Sequence, residues 1–286
     1  MTAVADAIRT KAGSSESLAF PDGFVSAVEG ITTGGGEVAE SEWVKLSKWR
    51  IRGNITDQAE GAVIEQAEWD EIGNPTYIEE YAFKNCIIDK LVVPETITSV
   101  RMYAFSGCKG SVYRDGGSGV GQTMIVPEFI FEGENKTYGE AIFETAYLGG
   151  WPQGFNVSTI PDHTFQNSWI LSDEFIVPEG VSIIGNGSLA IMRFILPSQA
   201  NSGTYTTGKI ILPSTVTAIE GYYTLFTYES KDGATLELKS TSPPTLNSSA
   251  MYYGPARIVV PEGTLDAYKT ATNWSKFADI MEEATE

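Results

Sequence analysis

Residues that commonly carry enzyme chemistry are scarce in this chain. His163 is its only histidine, and Cys86 and Cys108 are its only cysteines. A serine or cysteine nucleophile needs a base beside it, so any such pair would have to use His163. We expect His163 to be structural and the cysteines to be buried. The sequence therefore predicts a non-enzymatic protein with no catalytic residues, no metal site and no cofactor.

Two other features resemble catalytic motifs. Asp173 and Glu174 are carboxylates, the residue type that glycosidases use in pairs. As neighbours on a strand they would point to opposite faces, which weakens the pair, although a glycan depolymerase stays an alternative. The glycine-rich stretch Gly116–Gly121 lacks the Lys-Ser/Thr of a phosphate-binding loop, so we interpret it as an ordinary loop.

Recognition is the chemistry that the composition favours. Exposed aromatic side chains offer flat apolar faces with polar tips, which suit sugars and protein partners. Seven aromatic residues lie in or beside segments predicted to be loops, and we take them as candidate ligand-binding residues: Trp151, Trp169, Tyr205, Tyr222, Tyr223, Tyr252 and Tyr253. The alternative is that most of them pack beneath those loops.

The charge of the chain restricts its partners. The formal net charge is -18, and no run of Lys or Arg forms a local exception, so we expect no nucleic-acid binding. No stretch of about 18 apolar residues is present, so we expect no membrane insertion. The start, Met1–Lys11, lacks the basic and apolar regions of a Sec signal. We expect use without Sec export; a removed leader is the alternative.

An internal repeat must position these residues. The segment TYIEEYAFKNC (76–86) aligns with TSVRMYAFSGC (98–108), with Tyr, Ala, Phe and Cys recurring in phase. Phe83 thus corresponds to Phe105, 22 residues later, and weaker copies of this Phe occur at Phe143 and Phe165. We predict that the YAF segment forms a helical turn whose Phe fills a core.

A second recurring segment is a short apolar run closed by Pro. Such runs predict short strands, because Pro has no N–H for a ladder and ends the strand. The runs are Leu91–Pro94, Ile125–Pro127, Thr159–Pro161, Ile176–Pro178, Ile195–Pro197, Ile210–Pro213 and Ile258–Pro261.

The two segments together predict a β-rich solenoid of short strands and short helical turns. One winding cannot bury its own apolar face, whereas stacked neighbours bury it together, with Phe83 lying against Phe105. Cys86 and Cys108 then lie in adjacent windings about 4.8 Å apart, a separation compatible with a disulfide. Two buried thiols are the interpretation that we favour.

Four segments interrupt the repeat, and we interpret them as loops projecting from one side of the array: Gly110–Gln122, Glu132–Pro152, Gln199–Gly208 and Gly221–Ala234. The domain prediction is a small helical attachment module with its linker at 1–36, a transitional β or capping segment at 37–75, the repeat array at 76–262, and an amphipathic helical cap at 263–286. The cap would carry Leu265, Tyr268, Trp274, Phe277, Ile280 and Met281.

The segment VVPETITSVRMYAFSGC (92–108) resembles the BspA-like leucine-rich repeat, and the segments around Pro243–Leu246 and Ile258–Met281 resemble its terminal unit. The resemblance spans roughly residues 76–281, but the middle departs from the pattern, which leaves the number of windings in doubt. Residues 4–31 resemble a module near the start of tail and baseplate-associated proteins of phages and prophages of Gram-positive bacteria.

These resemblances imply a phage or prophage tail protein that presents its repeats for host-surface recognition. The implied partners are other tail or baseplate proteins through the N-terminal module and a host-surface glycan or protein, with a homo-oligomer as an open option. The implied location is the virion tail after cytoplasmic assembly. The alternative is a secreted BspA-like adhesin at the bacterial cell surface.

Overall fold

The computed structural model describes residues 61–71, 73–114, 122–199, 207–226, 233–252 and 254–285. The chain divides into two units, Met1–Lys45 and Leu46–Glu286, and every described residue belongs to the second. The predicted helical module at 1–36 lies outside the described residues, as do residues 37–60 of the transitional segment. Tyr205 and Tyr253 also lie outside them.

The longer strands form two parallel sheets in which each strand pairs with its counterpart from the next repeat. These strands are rich in Val, Ile and Leu, and the side chains of alternate residues are buried. The first sheet contains β1 (Ala62–Ile64), β3 (Ile88–Val93) and β7 (Glu128–Phe131), in that order. The second contains β12 (Glu174–Ile176), β15 (Lys209–Leu212), β17 (Thr235–Leu238), β19 (Arg257–Val260) and β20 (Met281–Glu283).

Two-residue strands form further parallel ladders along the repeat. One sheet contains β2 (Tyr77–Ile78), β4 (Ser99–Val100) and β8 (Thr137–Tyr138). Another contains β10 (Thr159–Ile160), β13 (Ile183–Ile184), β16 (Ala218–Ile219) and β18 (Thr245–Leu246). A third contains β9 (Tyr147–Leu148), β11 (Trp169–Ile170) and β14 (Arg193–Phe194). The described part of the chain is thus a β-rich repeat fold.

A row of phenylalanines runs through the interior. The ring centroid of Phe105 lies 5.5 Å from that of Phe83 and 5.4 Å from that of Phe143. The rings of Phe143 and Phe165 stack at 5.6 Å, only 1° from parallel. All four side chains are fully buried. The predicted shared interior of Phe83 and Phe105 is confirmed.

The turn that carries each Phe is not helical, which corrects the predicted helical turn. It contains two residues with positive φ, four positions apart, such as Tyr81 (58°) and Asn85 (59°) in one repeat unit. Tyr103 (56°) and Gly107 (68°) are their counterparts in the next. An α-helix needs a negative φ at every residue, and each of these left-handed residues interrupts that requirement. Consecutive i→i+4 helical hydrogen bonds therefore cannot form.

Three of the predicted loops belong wholly or partly to regular structure. Residues 132–152 contain β8, β9 and the buried Phe143, so they form a repeat unit. Residues 110–122 include β5 (Val112–Arg114) and the first residue of β6 (Gln122–Met124), and these two strands pair in an antiparallel hairpin. Residues 221–226 bring the buried Leu225 and Phe226 into the core. The Gly, Ser and Tyr content that predicted loops reflects the turns between these elements.

Two Pro-closed runs were wrongly predicted to be strands. Ile125 and Val126 are exposed, and β7 begins after Pro127. Likewise β14 ends at Phe194, and Pro197 opens the 3-10 helix Pro197–Gln199. Pro can start an element as well as end one, because its fixed φ suits both positions.

Indole rings pack against the repeat at both ends of the described segment. Helix α1 (Gln66–Glu71) buries Trp69 against Phe83, and the Trp69 Nε1–H donates to the Val92 carbonyl at 2.7 Å. At the other end, helix α2 (Leu265–Thr270) and the 3-10 helix Trp274–Ile280 bury Tyr268 and Trp274. Met281, expected on a helix, lies in β20, which pairs with β19.

Candidate recognition surface

Three of the predicted binding residues meet in one surface cluster. The ring centroids of Tyr222 and Tyr223 lie 4.3 Å apart, and those of Tyr223 and Tyr252 lie 5.7 Å apart, both edge to face. Tyr222 is 54% exposed and Tyr252 is 60% exposed. We call these three residues the tyrosine cluster. It offers aromatic faces and phenol hydroxyls to solvent on one patch.

Hydrogen bonds to neighbouring repeats fix the backbone under the cluster. The Tyr222 N–H donates to Asn186 Oδ1 at 2.6 Å, and the Tyr223 N–H donates to the Ser249 carbonyl at 3.0 Å. Leu225, two residues on, is fully buried, and its N–H donates to the Ala250 carbonyl. The cluster therefore rests on an ordered base, and little backbone entropy would be lost on binding.

Trp169 is half-buried in an aromatic ladder. Its ring stacks on Tyr147 at 5.3 Å, and the Arg193 guanidinium lies 5.3 Å from its centroid. These residues face the same way because β9, β11 and β14 pair in register. Trp169 also packs against a small apolar cluster of Met124, Leu171 and Ile195. This packing leaves less of its ring for a ligand than the tyrosine cluster offers.

Trp151 is half-buried at a bend and packs against the core. Its ring centroid lies 5.3 Å from Phe155 and from Phe165 and 6.0 Å from Phe175. Its Nε1–H donates to the Phe155 carbonyl at 3.0 Å. Its faces and its polar tip are therefore used internally, so we leave it out of the recognition surface.

Both cysteines are buried, and they are not joined in a disulfide. The Cys108 Sγ–H donates to the Phe83 carbonyl at 2.9 Å, a bond between adjacent repeat units. The thiols therefore act as small core residues, the interpretation that the sequence favoured over a disulfide.

The groups with catalytic potential are spread over the surface or used in packing. His163 has a left-handed backbone, and its buried Nδ1 has no hydrogen-bond partner. Its Nε2 lies 3.4 Å from the Asn186 side-chain amide nitrogen. Among the described residues, no group of three or more His, Cys, Asp or Glu side chains could hold a metal ion.

Glu174 belongs to an ion-pair row on the second long-strand sheet. Lys209 Nζ lies 2.7 Å from a Glu174 carboxylate oxygen and 3.1 Å from one of Glu237. Hydrogen bonds to these two carboxylates, that of Glu174 first, raise the pKa of Lys209. The row borders an open groove of about 410 Å³ that Asp173 also lines. The Glu174 carboxylate is thus engaged with a cation, which does not suit a group that must exchange protons.

A second aromatic surface was missed. Tyr81 and Tyr103 stack at 5.0 Å and 8°, and Lys84 Nζ lies 4.7 Å from the Tyr81 ring centroid. Both tyrosines come from the YAF segment, and the 22-residue repeat predicts that they stack. The candidate binding residues predicted from sequence lie in or beside the predicted loops, so this Tyr is not among them.

No helix in the part of the chain that the structure describes has the length and apolar character needed to cross a membrane. A comparison with curated proteins found no match. Residues 63–113 match the family model described as BspA type leucine rich repeat region (6 copies). The matched segment contains β2, β3 and β4 and the stacked Phe83 and Phe105. This match supports a BspA-like leucine-rich repeat protein, and such repeats suggest a protein of the surface or adhesion type.

Proposed function

We propose that this chain is a non-enzymatic recognition protein whose tyrosine cluster contacts a glycan or protein on a host surface. The observation that carries the proposal is the exposure of Tyr222 and Tyr252, at 54% and 60%, on a base of buried repeat residues. Aromatic side chains held in place by their own scaffold lose little entropy on binding and supply much of the contact energy at interfaces.

The proposal includes the form in which the cluster is presented. The repeat would be a solenoid, with α1 as a lid over Phe83 and with α2 and the following 3-10 helix as a lid over the last unit. An open end of a repeat array exposes its apolar core, so terminal lids keep the array soluble. Trp69 and Trp274 support this reading because both indoles are fully buried.

The proposed setting is a phage or prophage tail. The resemblance of residues 4–31 to tail and baseplate modules supports it, and residues 1–36 would then attach the chain to other tail proteins, with a homo-oligomer as one form of assembly. The chain would reach the virion after cytoplasmic assembly, without binding nucleic acid or entering a membrane. The second candidate is a cell-surface adhesin, which the BspA-type repeat match supports.

Binding to intact cells tests the recognition role. Fluorescently labelled full-length chain should bind cells of the host range, and the Tyr222→Ala/Tyr252→Ala variant should lose at least about tenfold in affinity, since hot-spot aromatics contribute about 2 kcal/mol or more. Ile176→Ala is the matched control, because Ile176 is 53% exposed on a different surface. Equal binding by the double variant and the wild type would exclude the tyrosine cluster.

Immunolabelling separates the two settings. An antibody against the chain should label the tails of particles released from the encoding bacterium after prophage induction. Labelling confined to the surface of uninduced cells would favour the adhesin and refute the tail assignment.

A further inference from the structure

A groove opens where one ladder of short strands is interrupted. β8 and β10 occupy the same place in successive repeat units, yet they belong to separate sheets. The groove between them has a volume of about 550 Å³. This volume lies within the range of about 300–1,000 Å³ that is typical of small-molecule sites.

Pro161 contributes to the interruption. Within each ladder, the residue after a short strand donates its N–H to the preceding strand: Arg101 to Ile78, Gly139 to Val100, Gly185 to Ile160, Glu220 to Ile184 and Asn247 to Ile219. Pro161 stands at this position after β10 and has no N–H to give to the Tyr138 carbonyl. Pro161 therefore removes one of the hydrogen bonds that would join β8 to β10.

The interruption is too narrow for another strand. The Ala141 N–H donates to the Asp162 carbonyl at 2.9 Å, so the two units are in contact immediately beyond the groove. An inserted peptide strand would have to separate β8 and β10 by about 4.8 Å more than normal pairing. The geometry favours a compact ligand over an extended peptide.

The lining is polar and almost uncharged. It includes the exposed side chains of Asn135, Asn156, Ser158 and Thr159, with the half-buried Tyr138 beside them. Amides and hydroxyls both donate and accept hydrogen bonds, as a ligand rich in hydroxyl groups requires. The Tyr138 ring packs edge to face against Phe131 and Phe155, and the part of it that stays exposed beside these groups suits the apolar face of a sugar.

The charged residues at the groove disfavour an acidic ligand. Lys136 Nζ is already bonded to the Pro94 and Ile97 carbonyls, at 2.8 and 2.5 Å. Glu134 is exposed at the rim, and the chain has a formal net charge of -18. An anion would meet a carboxylate and no available cation among the lining residues.

We propose that the groove between β8 and β10 is a binding site for one or two residues of a neutral sugar, separate from the tyrosine cluster. Affinity for single sugars would be weak, with dissociation constants in the millimolar range, because the groove is open and wet. The site does not depend on the proposed host-recognition role.

Nuclear magnetic resonance titration of the isotope-labelled full chain tests the site. The probes are glucose, galactose, mannose and N-acetylglucosamine, with glucuronic acid and tetra-alanine as acidic and peptide comparators. At least one neutral sugar should shift the amide signals of residues 134–138 and 156–161. Asn156→Ala/Ser158→Ala should weaken that binding at least tenfold, whereas Tyr222→Ala/Tyr252→Ala should leave it unchanged. The proposal would be overturned if only a comparator shifted these signals or if no neutral sugar shifted them. Equal sugar binding by the groove variant and the wild type would also overturn it.

Pro161→Ala tests how the groove arises. The new amide at position 161 should donate to the Tyr138 carbonyl, join the two ladders and close the site. Its hydrogen exchange should be slow, and sugar binding should be lost while the fold is retained. Fast exchange at position 161 with unchanged sugar binding would refute the role assigned to the missing N–H.

Discussion

At the scale of single residues, the repeat depends on residues whose backbone is in the left-handed conformation. In successive units the second left-handed position of the turn holds Asn85, Gly107, Thr145, Asn167 and Ile191, all with φ between 54° and 68°. Asn and Gly tolerate this conformation, whereas a β-branched residue such as Ile is strained there. The fold therefore contains a site where the natural residue is not the most stable one.

We expect Ile191→Asn to stabilise the protein by about 1 kcal/mol, because relief of left-handed strain outweighs the loss of a partly buried side chain. Urea unfolding followed by circular dichroism measures the change. The matched control, Asn167→Ile, should lower the free energy of unfolding by a similar amount. If both substitutions destabilise the protein, the strain at Ile191 is not significant.

The side-chain ammonium group of Lys136 stabilises the fold. Its Nζ supplies the hydrogen bonds of two carbonyls, and burial lowers its pKa. Lys136→Met should cost about 2 kcal/mol or more, because both carbonyls lose their donor. Lys239→Met, which removes an exposed ion pair with Glu237, should cost less than about 1 kcal/mol. Equal losses in thermal unfolding would contradict this assignment.

At the scale of elements, the phenylalanine row joins units of unequal length. Phe105 and Phe143 are 38 positions apart in sequence, whereas Phe143 and Phe165 are 22 apart, yet both pairs stack. The longer unit contains the β5–β6 hairpin, which lies outside the row of phenylalanines. After the hairpin, Phe143 again stacks on Phe105. Insertions are therefore accommodated outside the row, and the row itself keeps a constant spacing.

Phe143→Ala should be among the most destabilising substitutions. The ring contacts Phe105, Phe129 and Phe165, at 5.3 to 5.6 Å between centroids, and its loss should cost about 3–5 kcal/mol. Phe143→Leu should cost much less, because Leu189 holds the same position in a later unit. Denaturant midpoints compare the stability of the two variants. If both lose the same free energy of unfolding, the volume of the side chain at position 143 is not what stabilises the fold.

Elements whose signal is local could be predicted from sequence. The strands that end at Pro94, Pro213 and Pro261 are confirmed, because a β-branched run and a missing N–H act within a few residues. The left-handed turns could not be predicted, since Tyr rarely adopts that conformation and only stacking of neighbouring units holds it. Trp151 was named as a binding residue because its packing against Phe155, Phe165 and Phe175 has no signal in the adjacent sequence.

The candidate surface could be predicted only in part, because the sequence shows the residue types and does not show which residues come together. Tyr222, Tyr223 and Tyr252 were each named from sequence, but their convergence depends on the pairing of β16 with β18. The groove at Pro161 gave no local signal, because Pro161 ends a short strand just as other prolines of the repeat do. Its effect depends on the strand that lies beside it.

At the scale of the whole molecule, the half-buried Tyr138 and the buried Tyr268 make stability sensitive to alkali. Burial raises the pKa of Tyr138 to about 12 and also raises that of Tyr268. The unfolded chain loses these protons near pH 10, so the stability that they contribute is complete below pH 10 and is lost as pH rises towards 12.

The free energy of unfolding of Tyr138→Phe should therefore fall less with rising pH than that of the wild type. The two proteins should differ little at pH 7, and the variant should retain about 2 kcal/mol more of its stability at pH 12. Urea midpoints measured from pH 8 to pH 12 provide the comparison, which cancels the titration of lysines common to both proteins. Parallel pH profiles would contradict the assigned pKa of Tyr138.

The missing N–H of Pro161 also bears on how two repeat units are held together. Along the short strands, hydrogen bonds tie each unit to the next, but between β8 and β10 that tie is replaced by a groove, while the contact from Ala141 to Asp162 persists. The Phe143 and Thr145 N–H groups still donate to the Thr164 and Gln166 carbonyls, and β9 still pairs with β11 across the same junction. One open ladder therefore leaves room for a ligand while the other contacts keep the two units in register.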